Sequence, residues 1–232
     1  MDLSPKRPAA AGWLHQVGTR VFTWWGVKMT GTTLIMTGFF FAYFWLLHHP
    51  VHPVTVVPTT VIDRWIGFWP GALPLYLSLW LYVSLAPALL INRREILSYG
   101  LATIGLSVIG LGIFLCWPTA VPTLEVNWSH HPSFAFLKSV DASGNACPSL
   151  HVAFAVFSAV WYARILQQMG TPRLVRALNW LWCVGILYST VATRQHVFLD
   201  VLAGAGLGAA VALLHLWLLR VFPGTPQAGL AT

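Results

Sequence analysis

Residues 193–219 read TRQHVFLDVLAGAGLGAAVALLHLWLL. From Val197 to Leu219 the only ionisable side chains are Asp200 and His215. A helix needs about 20 mostly apolar residues to cross the hydrocarbon core of a bilayer, so this run is long enough to span one. Five more runs satisfy the same criterion: Met29–Leu47, Gly71–Ile91, Leu97–Trp117, Ser149–Leu166 and Arg176–Ala192. Pro74 and Pro87 are expected to kink or shorten the second of them. Gly204-x3-Gly208 within the last run permits close approach of a neighbouring helix.

The rest of the composition agrees. Of the 232 residues, 57% are hydrophobic and 8% charged, against about 25% charged in an ordinary soluble domain. So few charges cannot cover a soluble globule, and disordered chains are apolar-poor and charge-rich. The net charge of +7 does not indicate nucleic acid, because the basic residues form short clusters between apolar runs and no continuous basic face. The fold class is therefore an all-α integral membrane protein with six transmembrane helices and an N-terminal interfacial helix. Three segments are expected: 1–28, cytoplasmic, with the interfacial helix; 29–222, the six-helix catalytic domain; and 223–232, a cytoplasmic tail. Residues Gly12–Val27 place Trp13, Phe22, Trp24 and Trp25 among polar residues. That pattern suits a helix in the headgroup region, or else an extension of the first span.

Met1–Lys28 lacks an apolar core ending in a small-residue cleavage site, so the first span is expected to remain in the protein. Six spans place both termini on one side. With the termini inside, Lys6, Arg7, Arg20, Lys28, Arg93, Arg94, Arg164, Arg173, Arg176 and Arg220 are inner, and Arg64, Lys138 and Arg194 are outer. This 10-to-3 split favours cytoplasmic termini. The expected location is the cell inner (plasma) membrane, with the long connections His48–Pro70 and Pro118–Pro148 facing the periplasm or exterior. Long structured loops tend to carry function.

Two polar groups stand at span edges, where ionisable residues default to a functional role. Cys147-Pro148-Ser149-Leu150-His151 opens the fourth span and Thr193-Arg194-Gln195-His196-Val197-Phe198-Leu199-Asp200 opens the sixth. Pro148 suits a first helical turn, which places Ser149 and His151 within that turn. His196 and Asp200 are four apart and share a helix face. Both spans start on the same side, so both histidines face one compartment. Two imidazoles, a carboxylate behind one of them, an Arg and two helix N-termini suit a phosphate. One His can attack phosphorus and the other can protonate the leaving oxygen. Asp200 holds the tautomer of His196 as the carboxylate of a triad does. Arg194 and backbone N–H groups stabilise the equatorial oxygens.

CPSLHVAF and TRQHVFLDVLAG resemble the last two signature motifs of the type 2 phosphatidic acid phosphatase superfamily, in the variant of its inositol phosphorylceramide synthase-like branch. The resemblance spans roughly Gly71 to Gly208. It implies six spans and metal-independent phosphoryl transfer through a phosphohistidine. His196 is then the nucleophile, Asp200 its orienting partner and His151 the general acid. Where the superfamily has P-S-G-H, Leu150 replaces the glycine. Ser189 and Thr190 occupy the S-R positions of the last motif, and Arg194 is the substitute for the missing arginine. No K-x6-R-P run precedes Pro148, and Trp117-Pro118 stands near its place without the Arg. Of the remaining outer cations, Arg64 and Lys138, Lys138 is the better placed to meet a phosphate. The substrate-binding set is thus Ser149, Arg194, Thr190 and Lys138, with no metal and no cofactor.

His48, His49 and His52, with His130 and His131, have no outer Cys or acidic residue spaced to complete a zinc set. Cys116 and Cys147 both fall on the outer side and leave one disulfide open, whereas Cys183 reads as a packing residue. The expected activity is a membrane lipid phosphatase acting on a lipid phosphate or diphosphate. The alternative is a phosphotransferase that moves a phosphoryl or phospho-headgroup to a lipid or sugar alcohol. A non-enzymatic transporter or assembly factor rests only on the six spans. Polyprenyl diphosphate, phosphatidate, phosphatidylglycerol phosphate and lipid A phosphates all suit a site at headgroup level. No nucleic-acid partner is expected, and the sequence leaves the oligomeric state open.

Overall fold

A computed structural model describes residues 12–123 and 144–221. Six helical segments are long and apolar enough to cross a membrane: Trp25–His48, Pro70–Leu89, Arg93–Cys116, Leu150–Gln168, Arg173–Ala192 and Phe198–Val221. They coincide with the six expected runs within a few residues at each end. Helix α1, Trp13–Phe22, precedes α2, Trp25–His48, and the chain breaks between them where Trp24 adopts a left-handed φ of 56°. The N-terminal aromatic segment is therefore a separate helix and not a continuation of the first span. It is amphipathic, with no buried residue, and Arg20 in its last turn donates to the Leu89 carbonyl at 3.1 Å.

The second span is built in pieces. A 3-10 turn at Pro70–Ala72 leads into α4, Leu73–Leu77, and α5, Leu79–Leu89. Pro74 lies at the start of α4, where its missing N–H would have no partner in any case. Pro87 lies in the last turn of α5. Before them, α3 spans Val61–Ile66. Helix α6 covers Arg93–Cys116 and begins on Asn92, whose side chain accepts from the Arg94 N–H at 3.0 Å. Two short parallel strands, β1 (Thr55–Val56) and β2 (Thr119–Ala120), tie the first long connection to the second.

Three helices complete the bundle: α7 (Leu150–Gln168), α8 (Arg173–Ala192) and α9 (Phe198–Val221). Helix α7 is the central one. Some 61% of its apolar window is buried, against 6% for α2, so α2 is the peripheral span. Phe157 and Trp161 of α7 are fully buried. The tightest packing is between α7 and the first half of α9. A Cβ on Gly204 would overlap the Ser149 carbonyl, and one on Gly208 would overlap the Ala153 carbonyl. Only glycine allows the two backbones to approach this closely, which is the role expected of the Gly-x3-Gly pair. The Ser149 N–H donates to the Asp200 carbonyl at 3.0 Å, so the starts of the two helices are stitched directly.

Leu150 packs over Gly110 of α6, which lacks the Cβ that would collide with it. The Leu that departs from P-S-G-H therefore has a packing partner in this chain. At the opposite end of the bundle, Arg164 pairs with Glu95 at 2.8 Å. All three cysteines are free, with Cys147 and Cys183 buried and Cys116 exposed.

Candidate active site

The site forms where α7 and α9 begin side by side. Pro148 does not sit in the first turn as the sequence suggests. Ser149 is the N-cap, and its Oγ accepts from the Val152 N–H at 3.3 Å. Pro148, joined to Cys147 by a cis peptide bond, precedes the cap. The fully buried Ser149 hydroxyl is thus committed to starting α7. His151 lies in the first turn of α7, two residues past the cap. Its ring stacks on Tyr76 of α4 at 4.1 Å and 12°, and Trp80 meets it edge-on at 6.5 Å. The Tyr76 backbone bonds the ring as well, while Nε2 is buried without a hydrogen-bond partner. A base fixed on three sides with one free nitrogen is suited to proton transfer.

His196 comes from the turn between α8 and α9. That turn is folded back on the Thr190 carbonyl, which accepts the N–H groups of both Gln195 and His196 at 3.1 Å. Arg194, half-buried, takes a left-handed φ of 57° to make the bend. The Nδ1 of His196 faces Asp200 Oδ2 at 3.6 Å, longer than a hydrogen bond and within ion-pair range. Asp200 is fully buried, and the same Oδ2 accepts the Val197 N–H at 2.9 Å. Asp200 therefore holds the start of its own helix as well as facing the imidazole. The Cys147 thiol lies against this carboxylate. Burial pushes the thiol up to about 11, and the negative charge of the nearby Asp200 adds to the shift.

His151 and His196 line one cavity of about 580 Å³, together with Asn145 and Tyr76. Thr190 and Arg194 do not line it. Thr190 is fully buried, with its hydroxyl donating to the Leu187 carbonyl at 2.8 Å. Lys138, His130 and His131 lie outside the described residues. His48 and His49 bond the carbonyls of Phe44 and Trp45 through Nδ1, at 2.7 and 2.9 Å, and so finish α2. Among the described residues no group of three His, Cys, Asp or Glu side chains is placed to hold a metal ion.

Besides Tyr76, two residues that support the site were not singled out in the sequence. Asp63 is fully buried although it lies in the first long connection. Its Oδ2 accepts from the Thr60 N–H at 2.6 Å and from the Thr60 hydroxyl at 2.7 Å, and its Oδ1 accepts from the Phe198 N–H at 2.7 Å. A capping box in α3 is thereby also the anchor of α9, one residue past Val197. The Thr60-x-x-Asp63 pattern signals the capping box, but nothing in it points to Phe198. Thr119 is the other. Its hydroxyl accepts the N–H groups of Ala146 and Cys147 at 3.1 and 2.8 Å, fixing the segment that enters α7.

Asp63→Ala strands the partly buried Phe198 N–H, a loss of about 1–3 kcal/mol. The thermal midpoint of the detergent-solubilised protein is expected to fall, and turnover to fall further than stability alone explains, because the start of α9 carries His196. Unchanged turnover in a folded Asp63→Ala protein would show that Asp63 only stabilises its loop.

A family model described as the PAP2 superfamily matches residues 93–222, more than half of the chain, and includes both histidine-bearing helix starts. No curated protein and no solved structure matches the chain.

Proposed function

The chain belongs to the PAP2 superfamily, and on that premise we propose that it is a membrane lipid phosphatase. Family membership supports phosphatase or phosphotransferase chemistry, and the six apolar helices support a multi-pass membrane protein. The observation that carries the finer reading is that His196, paired with Asp200, lines one apolar cavity together with His151. A lipid phosphate can present its phosphorus to the histidines while its hydrocarbon enters the cavity.

In this reading His196 Nε2 attacks phosphorus and the P–O bond to the lipid alcohol breaks. His151 gives its proton to the departing oxygen, releasing the alcohol. Asp200 keeps the His196 proton on Nδ1 and stabilises the charge that the ring gains. Water then attacks the phosphohistidine and gives its proton to the now neutral His151, and the P–N bond breaks to return free His196 and inorganic phosphate. Arg194 and Lys138 are the cations proposed to meet the phosphate oxygens, and Ser149 and Thr190 act by holding the two helix starts. No metal or cofactor enters these steps. The basic residues at the helix ends opposite His196 support cytoplasmic termini and a site facing the periplasm or exterior of the inner membrane.

The test is a panel of phosphatidate, a polyprenyl diphosphate and glycerophospholipids offered in EDTA, with free phosphate and new lipid products read together. Phosphate release that persists in EDTA is expected. A new phospholipid without free phosphate would instead establish the phosphotransferase reading. His151→Ala is expected to lower release from a lipid phosphate by roughly 10²–10⁴-fold. It should lower release from p-nitrophenyl phosphate far less, because that leaving group departs without a proton. Equal losses on both substrates would remove His151 from the general-acid role.

A further inference from the structure

The cavity at the site does not stop below the histidines. It continues between α2, α5, α6 and α7 to Lys28, in the first turn of α2, and Pro87, in the last turn of α5. The α2 wall is a single helical face, with Lys28, Gly31, Ile35, Phe39 and Tyr43 each contributing. At the site end, the Asn145 side chain donates to the Tyr43 carbonyl at 3.1 Å. At the far end Lys28 is buried, and its Nζ donates to the carbonyls of Arg20 and Ala88 at 2.6 and 2.7 Å. With Arg20 bonded to Leu89, helix α1 and the start of α2 are tied to the end of α5. They form a polar floor under an apolar shaft.

The lengths matter. Tyr76, which stacks on His151, and Ala88, which holds Lys28, are twelve residue steps apart along one wall, or roughly 18 Å at helical rise. The α2 wall from Lys28 to Phe44 is roughly 24 Å. One leaflet of a bilayer offers a chain only about 15 Å, half of a core of about 30 Å. A shaft confined to ordinary leaflet tails would need to reach only mid-bilayer.

We propose that this shaft is a binding subsite for one hydrocarbon chain longer than a leaflet is thick, with the Gly31–Lys28 end setting the chain length accepted. The proposal rests on the phosphatase reading above. Both shaft and bilayer are apolar, so entering the shaft gains little hydrophobic free energy. The floor therefore acts as a steric gauge, and the chain that fits is selected by length. Glycine at position 31 keeps the far end open, because a Cβ there meets nothing within 4 Å.

The test uses decyl and eicosyl phosphate with full-length protein in detergent and EDTA, measuring phosphate release. Gly31→Trp fills the far half of the shaft. It is expected to cut kcat/KM for eicosyl phosphate about tenfold and to leave decyl phosphate within about twofold, as overpacking of a filled site predicts. Gly31→Leu should give the same chain dependence at smaller size and guards against misfolding of the larger variant. Gly38→Trp is the control: it is on the same helix with open space at its Cβ, and it does not line the shaft. Equal losses on both chains, no loss on either, or the same pattern in Gly38→Trp would overturn the chain gauge while leaving the phosphatase intact. Wild-type protein that releases phosphate from neither chain would overturn the phosphatase reading itself.

Discussion

Phosphate release by the His196→Ala protein is expected to fall by roughly 10⁴-fold or more, the size of loss seen when a catalytic nucleophile or its base is removed. The loss should appear in kcat on every lipid phosphate, because the covalent step itself is gone. The fold should survive. The His196 N–H, not its side chain, is what the Thr190 carbonyl holds, and alanine retains that N–H. Circular dichroism and gel-filtration behaviour in detergent should therefore match wild type. A folded His196→Ala protein that retains a tenth of the activity would exclude His196 as nucleophile.

Asp200→Asn is expected to cost about 10²–10⁴-fold in kcat, by analogy with removal of the charge behind a catalytic imidazole. The substitution separates the two duties of this side chain. An amide oxygen can still accept the Val197 N–H, now at 2.9 Å from Oδ2, so the start of α9 is preserved. What is lost is the negative charge that faces His196 Nδ1 at 3.6 Å and stabilises the imidazolium. The protein should thus keep its thermal midpoint while losing turnover. Asp200→Ala removes both duties and should lose both. If Asp200→Asn were fully active, the carboxylate would be a helix cap and nothing more.

The six spans were legible because crossing a bilayer demands about 20 apolar residues in a row, a signal written locally along the chain. The histidines and Asp200 were legible for the converse reason: ionisable groups in apolar runs are costly, so each stands out. The Gly204–Gly208 pair was legible by its spacing, and it brings α9 against Ser149 and Ala153 as expected. Asp63 was not. Its functional contact is to Phe198, 135 residues away, and local pattern explains only its bond to Thr60. Tyr76 was missed on the same account, since stacking on His151 depends on where α4 meets α7. Pro148 was expected in the first helical turn with Ser149 after it, but Ser149 is the cap and Pro148 precedes it, because a proline suits a first turn and a serine suits a cap. Only the packing of Ser149 against α9 distinguishes them. Whether the N-terminal aromatic segment is its own helix depends on a single left-handed residue, Trp24, a conformation that a tryptophan does not advertise.

The measurement that bears most directly on the central claim is capture of the covalent intermediate. Wild-type protein would be mixed with radiophosphate-labelled lipid phosphate, quenched in alkali within the first turnover, and digested to locate the label. The account predicts a label stable in alkali and lost in acid, carried by the peptide that contains His196 and absent from His196→Ala. Turnover with no protein-bound label at any quench time, or a label that resides on another residue, would contradict it.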